Sequence, residues 1–440
     1  MDEPIDLIET AKTVLEQNRE GMYTVPSRTL YPHQWLWDSC FTAIGLRHYD
    51  IDRAQNEILS LLKGQWHNGM LPNIIFNSVD GNYKRDIDIW RSWLNPNSPD
   101  EVSTSGITQP PMLAEAIVRI GDKLSVSERH TWYKTVLPSL IKYHEWLYSD
   151  RDPHGEGLVL LIHPWECGMD NTPPWMAELQ RHLLPFWVRL IGKLRLNKLV
   201  EIFRRDTKHV PVSERLSTEE ALGLYSVQRR LRRKHYEIDK ILPHGLFAIE
   251  DLMYNCIFIR ANHLLRQIAK NVQYKLPEPL LASMRRTEIA LEELWDPNTN
   301  QYYSRDFITH ELLKEPSIAS LMPLYTGIID EDRAKKLVKL LESKHLYGPT
   351  YPVPSVPVNS EWFYEKGYWQ GATWVNTNWL LIDGLSRMGF QNHAEALKEA
   401  TIELVSKSDM HEYFSPINGE PAGSGKFSWT AALFIDLSSD

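Results

Sequence analysis

Apolar residues recur at intervals of three and four along most of this chain. IDLIETAKTVLEQN (5–18), AQNEILSLLKGQW (54–66), PPMLAEAIVRIGDKL (110–124) and VLPSLIKYHEWLYSD (136–150) fit an i, i+3, i+4, i+7 template. So do the segments 178–205, 221–234, 249–272, 279–295, 333–344, 372–389 and 392–407. Stretches of strict alternation are few and short. This pattern predicts about a dozen helices in consecutive pairs, an all-α ring or solenoid of helical hairpins with no strand–helix alternation. The connections LNPNSPDEVSTSGITQPP (94–111) and YGPTYPVPSVPVNSEW (347–362) exceed ordinary helix–helix loops, and long structured loops commonly carry function. Turn-forming stretches at 152–159, 295–306 and 415–429 each follow a helix and return to apolar or aromatic residues, a weak internal self-similarity. Loops of this kind gather at one end of a ring. No compositional break divides 1–440, so a single domain is expected, with the polar interruption at 203–220 as a lid segment.

Charge narrows the partners. The net charge is -9, and the one basic run, RRLRRK (229–234), falls in a helical pattern and reads as a solvated face, so nucleic acid is not expected as a partner. The first residues are acidic and amphipathic, unlike a secretory signal, and no apolar run approaches the roughly 20 residues that span a bilayer. Cys40, Cys167 and Cys256 are odd in number and widely spaced, as free thiols in a reducing compartment would be. A cytoplasmic protein without membrane partners is expected, and its outer helical faces leave room for homo-oligomer formation. Sixteen Trp and nineteen Tyr suit either a large helical core or the flat platforms of a sugar cleft.

Five stretches carry candidate chemistry. In TLYPHQWLWDSCFTAIGL (29–46), Tyr31, Trp35, Trp37 and Asp38 precede an apolar helix. Asp38 is either the helix cap or a carboxylate that binds sugar hydroxyls between rings; capping does not explain the rings. In STSGITQPPML (103–113), Gln109 stands just before Pro110 and Pro111, which are read as opening a helix, and it either points into a cleft or only begins that turn. HPWECGMDNTPPW (163–175) sets Asp170 between Gly168 and Asn171, with Trp165 and Trp175 to wall it from water. Desolvation raises a carboxyl pKa, which a proton donor needs at neutral pH, although Asp170 also fits a helix cap. Near the other end, Glu412 in MHEYFSPINGEPAGSGKFSW (410–429) lies beside Tyr413 and Phe414. Two loop-borne carboxyls among rings suit glycoside hydrolysis, in which one is protonated and one ionised, and an inverting pair stands about 6.5–9.5 Å apart. Trp369, Gln370 and Trp374, at the start of an apolar helix within 361–385, are read as a cleft wall, with core packing as the alternative for Trp374 and Trp379.

YPHQWLWDSCF, HPWECGMDNTPPW, YWQGATWVNTNWL and HEYFSPINGEPAGSGKFSWTAAL, in this order across most of the chain, resemble glycoside hydrolase family 63, especially its small members that hydrolyse mannosylglycerate and glucosylglycerate. The resemblance implies an (α/α)6 barrel, inversion at the anomeric carbon, Asp170 as general acid and Glu412 as general base. It maps Tyr31, Trp35, Trp37, Asp38, Gln109, Trp369 and Gln370 to cleft positions. The segment after Arg204 resembles the lid that supplies arginine and tyrosine to the glycerate carboxylate, making Arg215 and Tyr225 its candidates. Cys167 stands where serine is expected. The substrate class is then a small α-glycoside; no metal or other cofactor is called for, and no H-E-x-x-H pair or P-loop is present. A neutral α-glucosidase or trehalase-like hydrolase is the alternative enzyme, and a non-catalytic helical sugar-binding protein the alternative class.

Overall fold

The computed structural model describes residues 6–77, 84–178, 210–245 and 247–439. Twelve helices among the described residues form six hairpins. They are α1 (Leu7–Gln17), α2 (Leu36–Leu46), α3 (Ile51–Leu62), α4 (Leu113–Asp122), α5 (Val126–Arg151) and α6 (Leu252–Asn271), followed by α7 (Glu278–Ala290), α8 (Pro323–Thr326), α9 (Glu331–Glu342), α10 (Val375–Arg387), α11 (Gln391–Ser408) and α12 (Ser428–Ser439). Each even-numbered helix packs on the next, and α12 closes back on α2, so six inner helices form a continuous ring with the odd-numbered helices outside it. This is the (α/α)6 barrel that the resemblance implies.

Position in the ring accounts for composition. Every residue of α2, LWDSCFTAIGL, is buried, because an inner helix meets protein on all sides. Outer α3 buries one stripe including Ala54, Ile58 and Leu61, and outer α11 buries only Ala394, Leu397, Thr401, Leu404 and Val405. Some polar groups that inner helices carry inside are tied into networks. Asp436 of α12, 3 % exposed, accepts from Arg47 at 2.5 Å, from His48 at 2.8 Å and from the Trp379 indole at 2.8 Å, joining α12 to α10 and the end of α2.

The two ends of the barrel differ. Inner helices run into outer ones through short turns, at 47–50, 123–125, 272–277, 327–330 and 388–390. Outer helices run into inner ones through 18–35, 63–112, 152–251, 291–322, 343–374 and 409–427. All the long connections, with their small two-stranded ribbons, therefore lie over the N-termini of the inner helices. The three self-similar stretches at 152–159, 295–306 and 415–429 fall in three of these connections, the last running on into the start of α12.

Some boundaries differ from expectation. The helix after Gln109 starts at Leu113 with Met112 as its cap residue, so Pro110 and Pro111 precede the helix rather than open it. Asp38 is not a cap: Trp35 holds that position, and Asp38 lies inside the first turn of α2. Inner helix α8 is a single turn, too short to show a period. The helical pattern at 178–205 lies outside the described residues except Glu178, as does 203–209 of the lid segment. Arg229, Arg230 and Arg233 of the basic run are solvent-exposed on the helix Thr218–Arg233. Cys40, Cys167 and Cys256 are buried free thiols.

Candidate active site

The long connections bring Asp170 and Glu412 together although they lie far apart in sequence. Asp170 sits in a turn before the short helix Pro173–Glu178, outside it, so the capping alternative does not hold. Its loop is anchored from behind. Glu166, fully buried, pairs with Arg151 at the end of α5 through contacts of 2.8 and 2.9 Å and accepts the backbone N–H groups of Ile162 at 2.7 Å and Thr108 at 3.2 Å. Gly168 has φ 78°, and a Cβ there would stand 2.5 Å from the Trp37 ring, so only glycine lets the loop lie against that indole. On the opposite loop, the Glu412 backbone N–H donates to the Ser424 carbonyl at 2.9 Å, and the Ser424 N–H donates to Glu412 Oε2 at 2.9 Å. Gly423 has φ 71° and approaches Glu412 so closely that a Cβ would meet Oε2 at 2.5 Å.

Two tyrosines and an arginine span the gap. Tyr368 donates to Asp170 Oδ2 at 3.3 Å, its hydroxyl stands 3.5 Å from that of Tyr31, and Tyr31 donates to Glu412 Oε1 at 2.8 Å. This path places the two carboxyls within about 10 Å of each other, a bound that admits the spacing of an inverting pair. Arg215 pairs with Glu412 Oε1 at 3.4 Å, and its guanidinium lies over the rings of Tyr368 at 4.4 Å and Tyr31 at 5.5 Å.

The surroundings separate the two acids. Burial pushes the Asp170 carboxyl up to about 7, against the opposing pull of Arg215 and the Tyr368 hydrogen bond. Burial raises Glu412 as well, but Arg215, the Ser424 N–H and the Tyr31 hydroxyl all favour its ionised form. Among the described residues, one carboxyl with a single hydroxyl donor thus faces another with three donors, which is how neighbouring acids come to hold different protonation states.

The remaining expected residues take distinct places. Asp38 is 5 % exposed, and burial, then the charges of Glu412 and Asp170, push its carboxyl well up, so it faces the same pair. Gln109 turns its Oε1 to the Trp37 N–H of α2 at 3.4 Å. Trp35 is half-buried with its ring edge on Tyr31. Trp369 is buried and stacks flat on Trp374, ring centroids 3.8 Å apart, with Trp37 6.2 Å away; together they form an aromatic floor. Gln370 donates to the Asn171 carbonyl at 2.9 Å and so joins its loop to that of Asp170. Trp175 is buried and donates to the Asp170 carbonyl at 3.3 Å, while Trp165 stands at the edge, T-shaped against Tyr225 at 5.5 Å. Tyr225 is 48 % exposed. Two residues with clear roles in the geometry escaped the sequence reading: Tyr368, which touches Asp170, and Glu166, which holds its loop.

Behind Asp38 lies Glu57 of α3, fully buried, accepting from Ser39 at 2.5 Å. Burial pushes its carboxyl up to about 7. A folded pKa above the unfolded value near 4.5 contributes stability that is complete below pH 4.5 and is lost as pH rises through 7. At about 1.4 kcal/mol per unit, the loss is on the order of 3 kcal/mol. Urea midpoints should therefore show Glu57→Gln gaining on the wild type between pH 5 and pH 8.5, and parallel pH curves for the two proteins would contradict this.

A closed ring of helical hairpins with two buried carboxyls across an aromatic cleft defines a glycoside hydrolase. The chain belongs to the mannosylglycerate hydrolase MGH1-like glycoside hydrolase domain family, whose model matches residues 31–430, within glycoside hydrolase family 63. It is 35 % identical to the mannosylglycerate hydrolase of Thermus thermophilus over 97 % of this chain and 99 % of that one. It is 31 % identical to the glucosylglycerate hydrolase of Mycolicibacterium hassiacum over 98 % of each. A crystal structure of a family 63 mannosylglycerate hydrolase from T. thermophilus in complex with Tris superposes with a TM-score of 0.88 at 34 % identity, covering 98 % of this chain and 100 % of that one.

Proposed function

We propose that this protein is an inverting hydrolase of small α-glycosides of glycerate, mannosylglycerate or glucosylglycerate. The names of the relatives support that substrate class, and the observation that carries the reading is the pair Asp170 and Glu412 bridged through Tyr368 and Tyr31 beside Arg215. Asp170, held protonated near neutrality, donates to the glycosidic oxygen as the bond breaks. Glu412, ionised, takes a proton from a water that attacks the opposite face of the anomeric carbon. Aromatic rings at Trp35, Trp37 and Trp369 cover the sugar, and Asp38 and Gln109 meet its hydroxyls. The scheme draws on no metal or other cofactor. The chain acts as one catalytic domain over 1–440, with 203–220 as its lid and Tyr225 at the lid's edge. No helix among the described residues is long and apolar enough to cross a membrane, and we place the enzyme in the cytoplasm.

The aglycone carboxylate needs a cation, and Arg215, whose side chain is 7 % exposed and already inside the cleft, supplies the bidentate fork that suits it. Initial rates over mannosylglycerate, glucosylglycerate, glucosylglycerol and α-linked disaccharides test the assignment: the two glycerates should dominate. Preference for a disaccharide, with no cleavage of either glycerate, would select the trehalase-like alternative. Arg215→Ala should raise KM for a glycerate by about tenfold or more while raising KM for the glycerol analogue far less, since a hydrogen bond to a charged group contributes about 1.5–3 kcal/mol. Equal changes for both would remove Arg215 from aglycone recognition.

A further inference from the structure

Inversion leaves the enzyme in the wrong protonation state. After one turnover Asp170 has lost its proton to the leaving oxygen and Glu412 has gained one from water, so one proton must travel back before the next cycle. Resting on Asp170 as acid and Glu412 as base, we propose that Tyr31 and Tyr368 form the wire that returns it. Their hydroxyls give a continuous path from Glu412 Oε1 to Asp170 Oδ2 in steps of 2.8, 3.5 and 3.3 Å. The Glu412 proton passes to Tyr31 Oη as the Tyr31 proton passes to Tyr368 Oη and the Tyr368 proton to Asp170 Oδ2. Three O–H bonds break and three form, both tyrosines end as they began, and no net charge is created.

Three features fit this role better than simple hydrogen bonding to two carboxylates. Burial pushes both phenols well up, so neither accumulates as a phenolate and the shift proceeds in concert along the chain. The guanidinium of Arg215, 4.4 Å above one ring and 5.5 Å above the other, disfavours a hydronium ion in the same space and so favours a transfer that carries no positive intermediate. Tyr368 also has φ 63°, a left-handed conformation that is uncommon for a bulky residue, and such strain persists where the surroundings hold a residue in place.

Quench-flow on the glycoside cleaved fastest tests the wire, because it separates the first bond cleavage from the reset. Tyr368→Phe keeps the ring and removes the hydroxyl; Tyr31→Phe cuts the wire from the other end. Each variant should release a burst of about one product per site and then turn over at least about tenfold more slowly than in its own first turnover, whatever loss of the hydroxyl costs that first turnover. Added imidazole should speed that slow phase by carrying the proton and should leave the wild-type rate unchanged. A first turnover slowed as much as the steady state, or a steady state as fast as wild type, would overturn the wire. Asp170→Asn and Glu412→Gln serve as controls: a rapid first turnover in either would instead overturn the acid and base assignment.

Discussion

Asp170→Asn should lower turnover on a glycosylglycerate by about 10²–10⁴-fold while the protein melts like the wild type. The asparagine is nearly isosteric but has no proton to give the departing oxygen. A glycosyl fluoride, whose leaving group departs without protonation, should recover much of the lost rate. Glu412→Gln should lose a similar factor on both substrates, since water activation is needed in each case. With the Asp170 carboxyl at about 7, the protonated and active form dominates below that value, so kcat/KM of the free enzyme should fall as pH rises through 7. Near-wild-type hydrolysis of the natural glycoside by either variant would remove that residue from the chemistry.

Glu166→Ala should have the largest effect on folding. It leaves Arg151, whose side chain is 3 % exposed, as a buried charge without its bidentate partner, and breaking such a pair costs about 3–5 kcal/mol. It also frees the N–H groups of Ile162 and Thr108, which position the loop before Asp170. Activity should then fall even below the melting temperature. Replacing both partners together, Glu166→Met with Arg151→Met, should recover part of the stability because the buried guanidinium leaves with its partner, and Asp150, which it also contacts at 2.9 Å, is 21 % exposed and can turn to water. Denaturant unfolding of the single and double variants checks this; a single variant as stable as the wild type would show that the pair contributes nothing.

The barrel was legible in the sequence because outer helices such as α3 and α11 must be amphipathic, and that alternation is visible in the residues themselves. The inner helices α2 and α12 appear only as apolar runs, since burial on all sides erases the period. One-turn α8 carries no pattern to detect. Asp170 and Glu412 stood out through their aromatic, glycine-broken loops, and the need for glycine at 168 and 423 turns out to be the approach of Trp37 and of Glu412 itself. Arg215 came only from family resemblance, because a single arginine in a polar segment has no local mark. Tyr368 was passed over beside Trp369 and Gln370 in the same four residues: its importance depends on a left-handed backbone that aims the hydroxyl at Asp170, and no propensity rule announces that for tyrosine.

The unequal ends of the barrel bear on how this scaffold can be rebuilt. α1 packs against α12, and the ring's alternation puts Leu7 and Ser439 at the same end as the short turns. Joining those ends through a brief linker and opening the backbone at 388–390 would produce a circular permutant with every long connection uninterrupted. Cuts on that side should leave catalysis intact, so the quiet end of the molecule is also where fusion partners and tethers belong.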